Sequence, residues 1–401
     1  MADVVIIGGG PVGCWTAIQT KLRRPDLDVQ IYERRAEYVR DHTLTIQRNS
    51  LVKNAARTKD KKERALYKDI ASLNNDAADL QEHKKLKKVV TARTQSLEKL
   101  FKDYCAKLGI NFTYEAMESP QQVMERHPEC KIFIAADGAH SKMRTGLLGE
   151  NSTVEKDLLH SVDVKYKAEG QAAFLREHTY NKVDLIVVET VGKEENGQTE
   201  VGLRFIVDKH TFDRVPNATA KQPLSFEQLH AATAYNGGFA FKVREFQHLR
   251  QNYTNEKRIE DSEVITKIRL SQYASKRFAV TAKPEGRDRA GWFFVGDAAM
   301  GMPFYRAVNV GLRMGSELAE IIASTENTPL LYKAAAYNAR RPIKVFEEFT
   351  AASMKLASIN LYKNAIRPTL RVVGVVGLVI VAVPLVAITC IITGGKCPRA
   401  M

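Results

Sequence analysis

Near its start the chain runs Val4-Val5-Ile6-Ile7 directly into Gly8-Gly9-Gly10-Pro11-Val12-Gly13. Apolar residues then recur at helical spacing (Val12, Trp15, Ile18, Leu22) as far as Arg24-Pro25, and Val29-Gln30-Ile31-Tyr32-Glu33 reads as a second strand. A strand, a glycine turn, a helix and a strand within about 30 residues leave little choice of fold, because together they specify a Rossmann-like parallel unit. Each glycine of Gly8-x-Gly10-x-x-Gly13 has its own task. Gly8 permits the tight turn, Gly10 lets a pyrophosphate approach the backbone, and Gly13 lets helix and strand pack closely. The helix start, with Pro11 and Val12 in its first turn, offers unpaired N–H groups and partial positive charge to phosphate. Glu33 follows Gly13 by 20 residues and is placed to accept hydrogen bonds from a ribose diol. The unit predicts nucleotide binding.

The whole 401-residue chain, 44% hydrophobic, is long enough for a large core without disulfides or metal. That apolar fraction excludes disorder as the main state. Cys14, Cys105, Cys130, Cys390 and Cys397 form no CxxC pair, and His42, His140 and His160 have no ligand spacing, so no metal is expected. The net charge of +14 is local: residues 51–100 and 331–371 together supply +12 of it. The charged stretch 53–88 interleaves acids with its bases and has few aromatics. It predicts solvated helices inserted between core elements, and no nucleic-acid partner.

Composition shifts suggest five parts. Residues 1–155 form the first part of a nucleotide-binding domain, with the charged helical insertion at about 53–88. Residues 156–285, with alternating segments at Ser161–Lys167, Val183–Val191 and Val201–Val207, predict an inserted antiparallel β-sheet substrate domain. Residues 286–330 return to the first domain through Trp292-Phe293-Phe294-Val295, and 331–371 are helical and basic. Residues 372–393 are 22 uncharged positions rich in Val, Ile and Leu, enough to cross a ~30 Å hydrocarbon core as a helix. Lys355, Lys363, Arg367 and Arg371 precede this span and only Lys396 and Arg399 follow it. The bias predicts a single-pass C-terminal anchor, the N-terminal domain in the cytosol, and basic side chains against membrane lipids.

Three separated pieces carry a family resemblance. They are the Gly8–Glu33 unit followed by Arg34-Arg35; Ala136-Asp137-Gly138-Ala139-His140-Ser141-Lys142-Met143-Arg144; and Gly296-Asp297-Ala298-Ala299 with Pro303, Asn309 and Gly311 beyond it. In this order the chain resembles the single-component FAD-dependent monooxygenases, the group of para-hydroxybenzoate hydroxylase, kynurenine monooxygenase and the MICAL-type flavoproteins. The resemblance covers roughly residues 1–350. It implies an α/β fold in which Gly8, Gly10, Pro11, Val12, Gly13, Glu33 and Arg34 meet the adenosine and pyrophosphate end of FAD. Asp137 and Gly138 would support the pyrophosphate region and the visiting NAD(P)H. Gly296, Asp297, Pro303 and Asn309 would border the ribityl chain and flavin ring, and Arg93 or Gln95 would lie against FAD. Relatives commonly have His where this chain has Met300, and a Gly-Gln-Gly-type loop where it has the shorter Phe304-Tyr305-Arg306-Ala307-Val308. Tyr305 and Arg306 are therefore the candidate catalytic residues, with Arg306 able to hold an acidic substrate, face solvent or pair with the flavin phosphate.

The implied activity is a membrane-anchored FAD-dependent monooxygenase that uses NAD(P)H and O2 to oxygenate an organic small-molecule substrate. Two other readings remain open at this stage: a flavin-dependent reductase or oxidase of a lipid-like substrate, and a flavin-bearing membrane interaction protein without turnover. A protein substrate of the MICAL kind is a further possibility.

Overall fold

The computed structural model describes residues 1–36, 43–51, 61–73, 89–175, 185–233, 238–283, 289–302, 306–324 and 328–361. In chain order the elements are β1 (Val4–Ile7), α1 (Pro11–Arg23), β2 (Val29–Tyr32), β3 (Thr43–Gln47), α2 (Arg48–Leu51), α3 (Lys61–Ser72), β4 (Val89–Arg93), α4 (Thr94–Lys107), β5 (Asn111–Thr113), α5 (Pro120–Arg126), β6 (Ile132–Ala135) and α6 (Lys142–Leu148). Then come β7 (Thr153–Glu169), β8 (Ile186–Glu195), β9 (Gln198–Val207), α7 (Lys209–Arg214), α8 (Phe226–Thr233), α9 (Phe239–Thr254) and β10 (Val264–Ser275). The chain continues with β11 (Ala279–Ala282), β12 (Ala290–Phe294), a 3-10 turn at Gly296–Ala298, β13 (Met300–Gly301), α10 (Ala307–Ala323), α11 (Leu330–Ala339) and α12 (Arg341–Leu361). The chain divides into two compact units, Met1–Lys156 with Gln272–Phe349, and Asp157–Ser271 with Thr350–Met401.

The first unit is built on a six-stranded sheet in the order β11-β12-β6-β1-β2-β5. β1 pairs in parallel with β2 and β6, β6 with β12, and β2 with β5. All four residues of β1 and all five of β12 are buried, as apolar runs in a parallel sheet covered on both faces must be. Trp292 stacks on Phe133 across β12 and β6 with ring centroids 4.8 Å apart. β11 pairs antiparallel with β12, so residues 279–282 belong to this sheet. The composition boundary at 285 had left them in the second domain, because a four-residue edge strand carries no hydrophobic run of its own. Small residues let α1 and α10 approach closely: a Cβ on Gly315 would lie 2.4 Å from Thr16 Oγ1, and Trp15 Nε1 donates to Ser316 Oγ at 2.9 Å.

The second unit holds antiparallel strands in the order β10-β7-β9-β8, with β9 registered against both β7 and β8. Val164, Tyr166, Leu203, Phe205 and Phe246 fill its core. Within that core Arg250 is fully buried. It donates to Tyr166 Oη and Glu256 Oε2 at 3.0 Å and also pairs with Glu189. A desolvated cation is tolerated there only because two carboxylates and a phenol surround it.

Sequence pattern predicts continuous helix over 330–366. The structure instead breaks it at Arg340 into α11 and α12. Pro342 explains the break: in the first turn of α12 it lacks an N–H that no helical carbonyl needs, whereas inside one long helix it would remove a bond. Among the described residues no helix is long and apolar enough to cross a membrane. The expected span 372–393 lies outside the described residues.

Candidate functional site

The carboxyl ends of β1, β2, β6 and β12 lie side by side on one edge of the sheet, and each carries a motif singled out by sequence. Gly8 follows β1, Glu33 follows β2, Asp137 follows β6 by two residues, and Gly296-Asp297 follows β12. In an open parallel sheet this is the edge at which ligands bind, where strand connections diverge to either side.

Gly8 has φ +109°, and a Cβ there would lie 2.3 Å from the Ala136 carbonyl oxygen. The first turn and the segment after β6 therefore touch backbone to backbone. A Cβ on Gly13 would lie 1.9 Å from the Gly8 oxygen, which closes the turn onto α1. Gly10 is different. Its φ is −71°, open to any residue, and a Cβ would meet nothing within 4 Å among the described residues. It caps α1 with no side-chain bond, and Pro11 takes the first helical position with Val12 behind it.

Glu33 is half-buried and accepts Gly9 N–H at 2.8 Å and Arg35 N–H at 3.1 Å, one on each carboxylate oxygen. It thus ties the glycine turn to the end of β2 and keeps its remaining lone pairs for other donors. Arg34 is exposed. Beside Glu33, Phe112 and Tyr114 lie 5.1 Å apart, and Lys102 Nζ sits 5.7 and 5.6 Å from their ring centroids. No spacing rule flags this aromatic–cation group. Its one sequence sign is the aromatic pair leaving β5.

Asp137 precedes Gly138, whose φ is +88°. One carboxylate oxygen of Asp137 accepts Met143 N–H at 3.2 Å at the start of α6. The other is buried with no hydrogen-bond partner among the described residues. Burial raises the Asp137 pKa from its ordinary value, against the pull of Ser141 and nearby backbone N–H groups.

Gly296, φ +58°, opens the turn after β12. A Cβ there would meet Val12 Cγ1 at 3.0 Å, and one on Gly311 would meet Val12 Cγ2 at 2.6 Å. Val12, Gly296 and Gly311 thus bring the starts of α1 and α10 against the 3-10 turn that carries Asp297. Arg144, buried in α6, clamps that turn. Its guanidinium donates to the carbonyls of Ala298 and Ala139 at 2.8 Å, and its Nε to Ser152 Oγ at 3.2 Å. Tyr273 donates to the Asp297 carbonyl at 2.8 Å, and the Arg144 guanidinium lies 5.6 Å from its ring. The motif around Asp137 contains Arg144 but assigns it no role, and no sequence pattern points to Tyr273.

The other expected site residues are placed as follows. Arg93 is half-buried at the N-cap of α4 and Gln95 is exposed in its first turn. The Asn309 side chain accepts Gln47 N–H at 2.7 Å, joining β3 to α10. Arg306, expected to meet substrate, solvent or phosphate, instead donates Nε and a terminal nitrogen to Glu348 Oε2 at 2.9 and 2.5 Å. Glu348 is 2% exposed and also accepts from Arg313, so the Arg306 guanidinium is occupied by a buried carboxylate of α12. Pro303 and Tyr305 lie outside the described residues.

Three observations fit a dinucleotide: the open backbone at Gly10, the uncapped start of α1, and a buried Asp137 oxygen with acceptor capacity for a hydroxyl. The fold has solved counterparts. The anhydrotetracycline hydroxylase OxyS from Streptomyces rimosus superposes with TM-score 0.57 at 16% identity, over all of this chain and 77% of that one. The tetracycline destructase Tet(51) gives 0.57 at 14% over the whole of both chains. CtdE, solved in complex with FAD and a substrate, gives 0.54 at 16% over 89% of each. No protein-family model and no curated protein matches the chain. At these identities the likeness establishes the fold, a mixed α/β architecture with an antiparallel sheet. It is the fold that the motif resemblance implies, shared with the hydroxylase OxyS, with a 2-methyl-3-hydroxypyridine-5-carboxylic acid oxygenase and with CtdE in its FAD complex.

Proposed function

We propose that this chain, folded as those oxygenases are, binds FAD at the carboxyl edge of its parallel sheet and oxygenates an organic small molecule with electrons from NAD(P)H. The observation that carries the reading is the gathering of Gly8–Gly13, Glu33, Asp137 and Asp297 on that one edge. The α1 N–H groups and the open backbone at Gly10 receive pyrophosphate. Glu33 accepts the ribose diol with lone pairs left free by its two backbone bonds. Asp137 accepts a hydroxyl on its unpartnered oxygen, and Asp297 holds the ribityl chain. Bound FAD supplies the redox step and the activation of O2. Arg144, whose four side-chain bonds among the described residues go to neutral oxygens, fixes the Asp297 turn and adds positive potential beside it. The N-terminus of α10 adds to that potential. Tyr305 remains a proposed site residue. Arg306 is a positioning residue that joins the start of α10 to Glu348.

Membrane attachment belongs to the same proposal. Its support is the 22 uncharged residues 372–393 and the basic residues that precede them. The test of function is product labelling under 18O2 with the flavin-loaded protein, NADH or NADPH, and candidate organic substrates. Label in the product together with substrate-stimulated NAD(P)H consumption supports monooxygenation. Unlabelled product points to a reductase or oxidase, and no NAD(P)H consumption points to an interaction protein.

A further inference from the structure

Helix α12 is amphipathic in the reverse sense. Its covered side is charged: Lys344, 5% exposed, donates to Glu317 Oε1 at 2.9 Å, and Glu348 takes Arg306 and Arg313. Arg341 Nε donates to the Ser275 carbonyl at 2.6 Å. The solvent side carries an uncharged row at spacings of three and four, Ile343, Phe346, Thr350, Met354, Ala357 and Leu361, all exposed, with one carboxylate, the exposed Glu347, beside it. Ile343, Phe346, Met354 and Leu361 are 64, 71, 64 and 51% exposed. At 1.5 Å per residue the row is roughly 27 Å long. A surface helix normally turns such a row inward, and a continuous exposed apolar row marks a contact surface.

We propose that α12 lies along the surface of an anionic bilayer, with Ile343, Phe346, Met354 and Leu361 in the boundary between headgroups and acyl chains. The inference rests on the reading of 372–393 as a membrane span and extends it to a second, independent contact. The sequence argues for lipid as the occupant. Leu361 is followed by ten residues that hold Lys363, Arg367 and Arg371 and no acid, and then by the uncharged segment. Ten residues reach at most ~35 Å, so membrane insertion of that segment keeps α12 close to the headgroups. The three basic residues match an anionic surface. A single row of four large side chains offers roughly 400–500 Å², about half of the ~800 Å² per partner that a stable protein interface buries. Shallow insertion of an apolar row needs no complementary partner.

The experiment uses the full chain reconstituted into phosphatidylcholine/phosphatidylserine vesicles, carrying Phe346→Trp or Met354→Trp, with and without brominated phospholipid. The native Trp15 and Trp292 are fully buried and provide the background emission. The expected result is added emission that is blue-shifted in vesicles and lost when the lipid is brominated. Vesicle-bound protein whose added emission stays red-shifted and unquenched overturns the proposal and leaves the membrane span standing. Emission already blue-shifted in the absence of vesicles shows that protein covers the face and also overturns it. Failure of the full chain to associate with vesicles overturns both this proposal and the span.

Discussion

Gly10→Ala separates ligand approach from folding more cleanly than any other change in the glycine turn. The backbone at Gly10 has φ −71° and ψ −179°, which alanine adopts without strain, and the new Cβ would have no atom of the described residues within 4 Å. The flavin-free protein should therefore gain about 0.4–1 kcal/mol, because alanine narrows the unfolded ensemble. The proposed pyrophosphate, in contrast, must pass within contact of this backbone. A methyl group in a close-packed contact costs about 1–3 kcal/mol, or roughly 5- to 150-fold in the FAD dissociation constant. The assay pairs thermal melting of the flavin-free protein with fluorescence titration of FAD. Gly13→Ala is the contrast: its Cβ would strike the Gly8 oxygen at 1.9 Å, so it should lower melting and binding together. If Gly10→Ala bound FAD as tightly as the parent, the pyrophosphate would not lie over this turn and the assignment of the glycines would fail.

Arg144→Met removes four charge-assisted bonds, the one to the Asp297 carbonyl long at 3.4 Å, each worth up to ~1.5–3 kcal/mol. Less the desolvation of a buried guanidinium, this leaves a loss on the order of 2–4 kcal/mol, seen as a lower melting temperature of the flavin-free protein; a loss below ~1 kcal/mol would mean the clamp is incidental. Asp137→Asn should act oppositely on stability and binding. Because burial raises the Asp137 pKa, the folded chain holds that proton more tightly than the unfolded chain. The associated stability is present in acid and is lost as pH rises through the raised pKa. The advantage of the Asn variant in melting should therefore grow from acid to neutral pH, to about 1–3 kcal/mol for a buried unsatisfied oxygen, while FAD binding weakens; a pH-independent difference would contradict this. Arg306→Ala should lower melting by ~1 kcal/mol, since the pair with Glu348 is partly exposed and Arg313 remains. It should leave FAD content intact, and unchanged melting with lost substrate stimulation of NAD(P)H oxidation would instead place Arg306 at the substrate.

The parallel sheet was legible because its strands are uninterrupted apolar runs and its ligand edge is written in glycines whose geometry admits little else, Gly8 and Gly13 above all. The antiparallel strands were legible through alternation, although β7 extends to Thr153–Glu169 well beyond the predicted Ser161–Lys167. What stayed hidden were contacts between distant segments. Arg144 meets a neutral carbonyl oxygen 154 residues away at Ala298, and no local pattern announces such a bond. Glu348 is one of two adjacent glutamates, with Glu347 exposed and Glu348 buried on two arginines. Periodicity gave α12 its helical character but placed no partner on either face. The inward charged row became visible only with α10 in place.

The central claim is that the carboxyl edge of the sheet holds FAD. The most direct measurement is to purify the full chain, denature it, and identify and quantify the released nucleotide by chromatography and mass spectrometry, alongside the visible spectrum of the intact protein. The account predicts an oxidised-flavin spectrum and FAD approaching one per chain, with Glu33→Ala retaining less. Well-folded protein that releases FMN, NAD or no nucleotide, and that fails to take up added FAD, would contradict it.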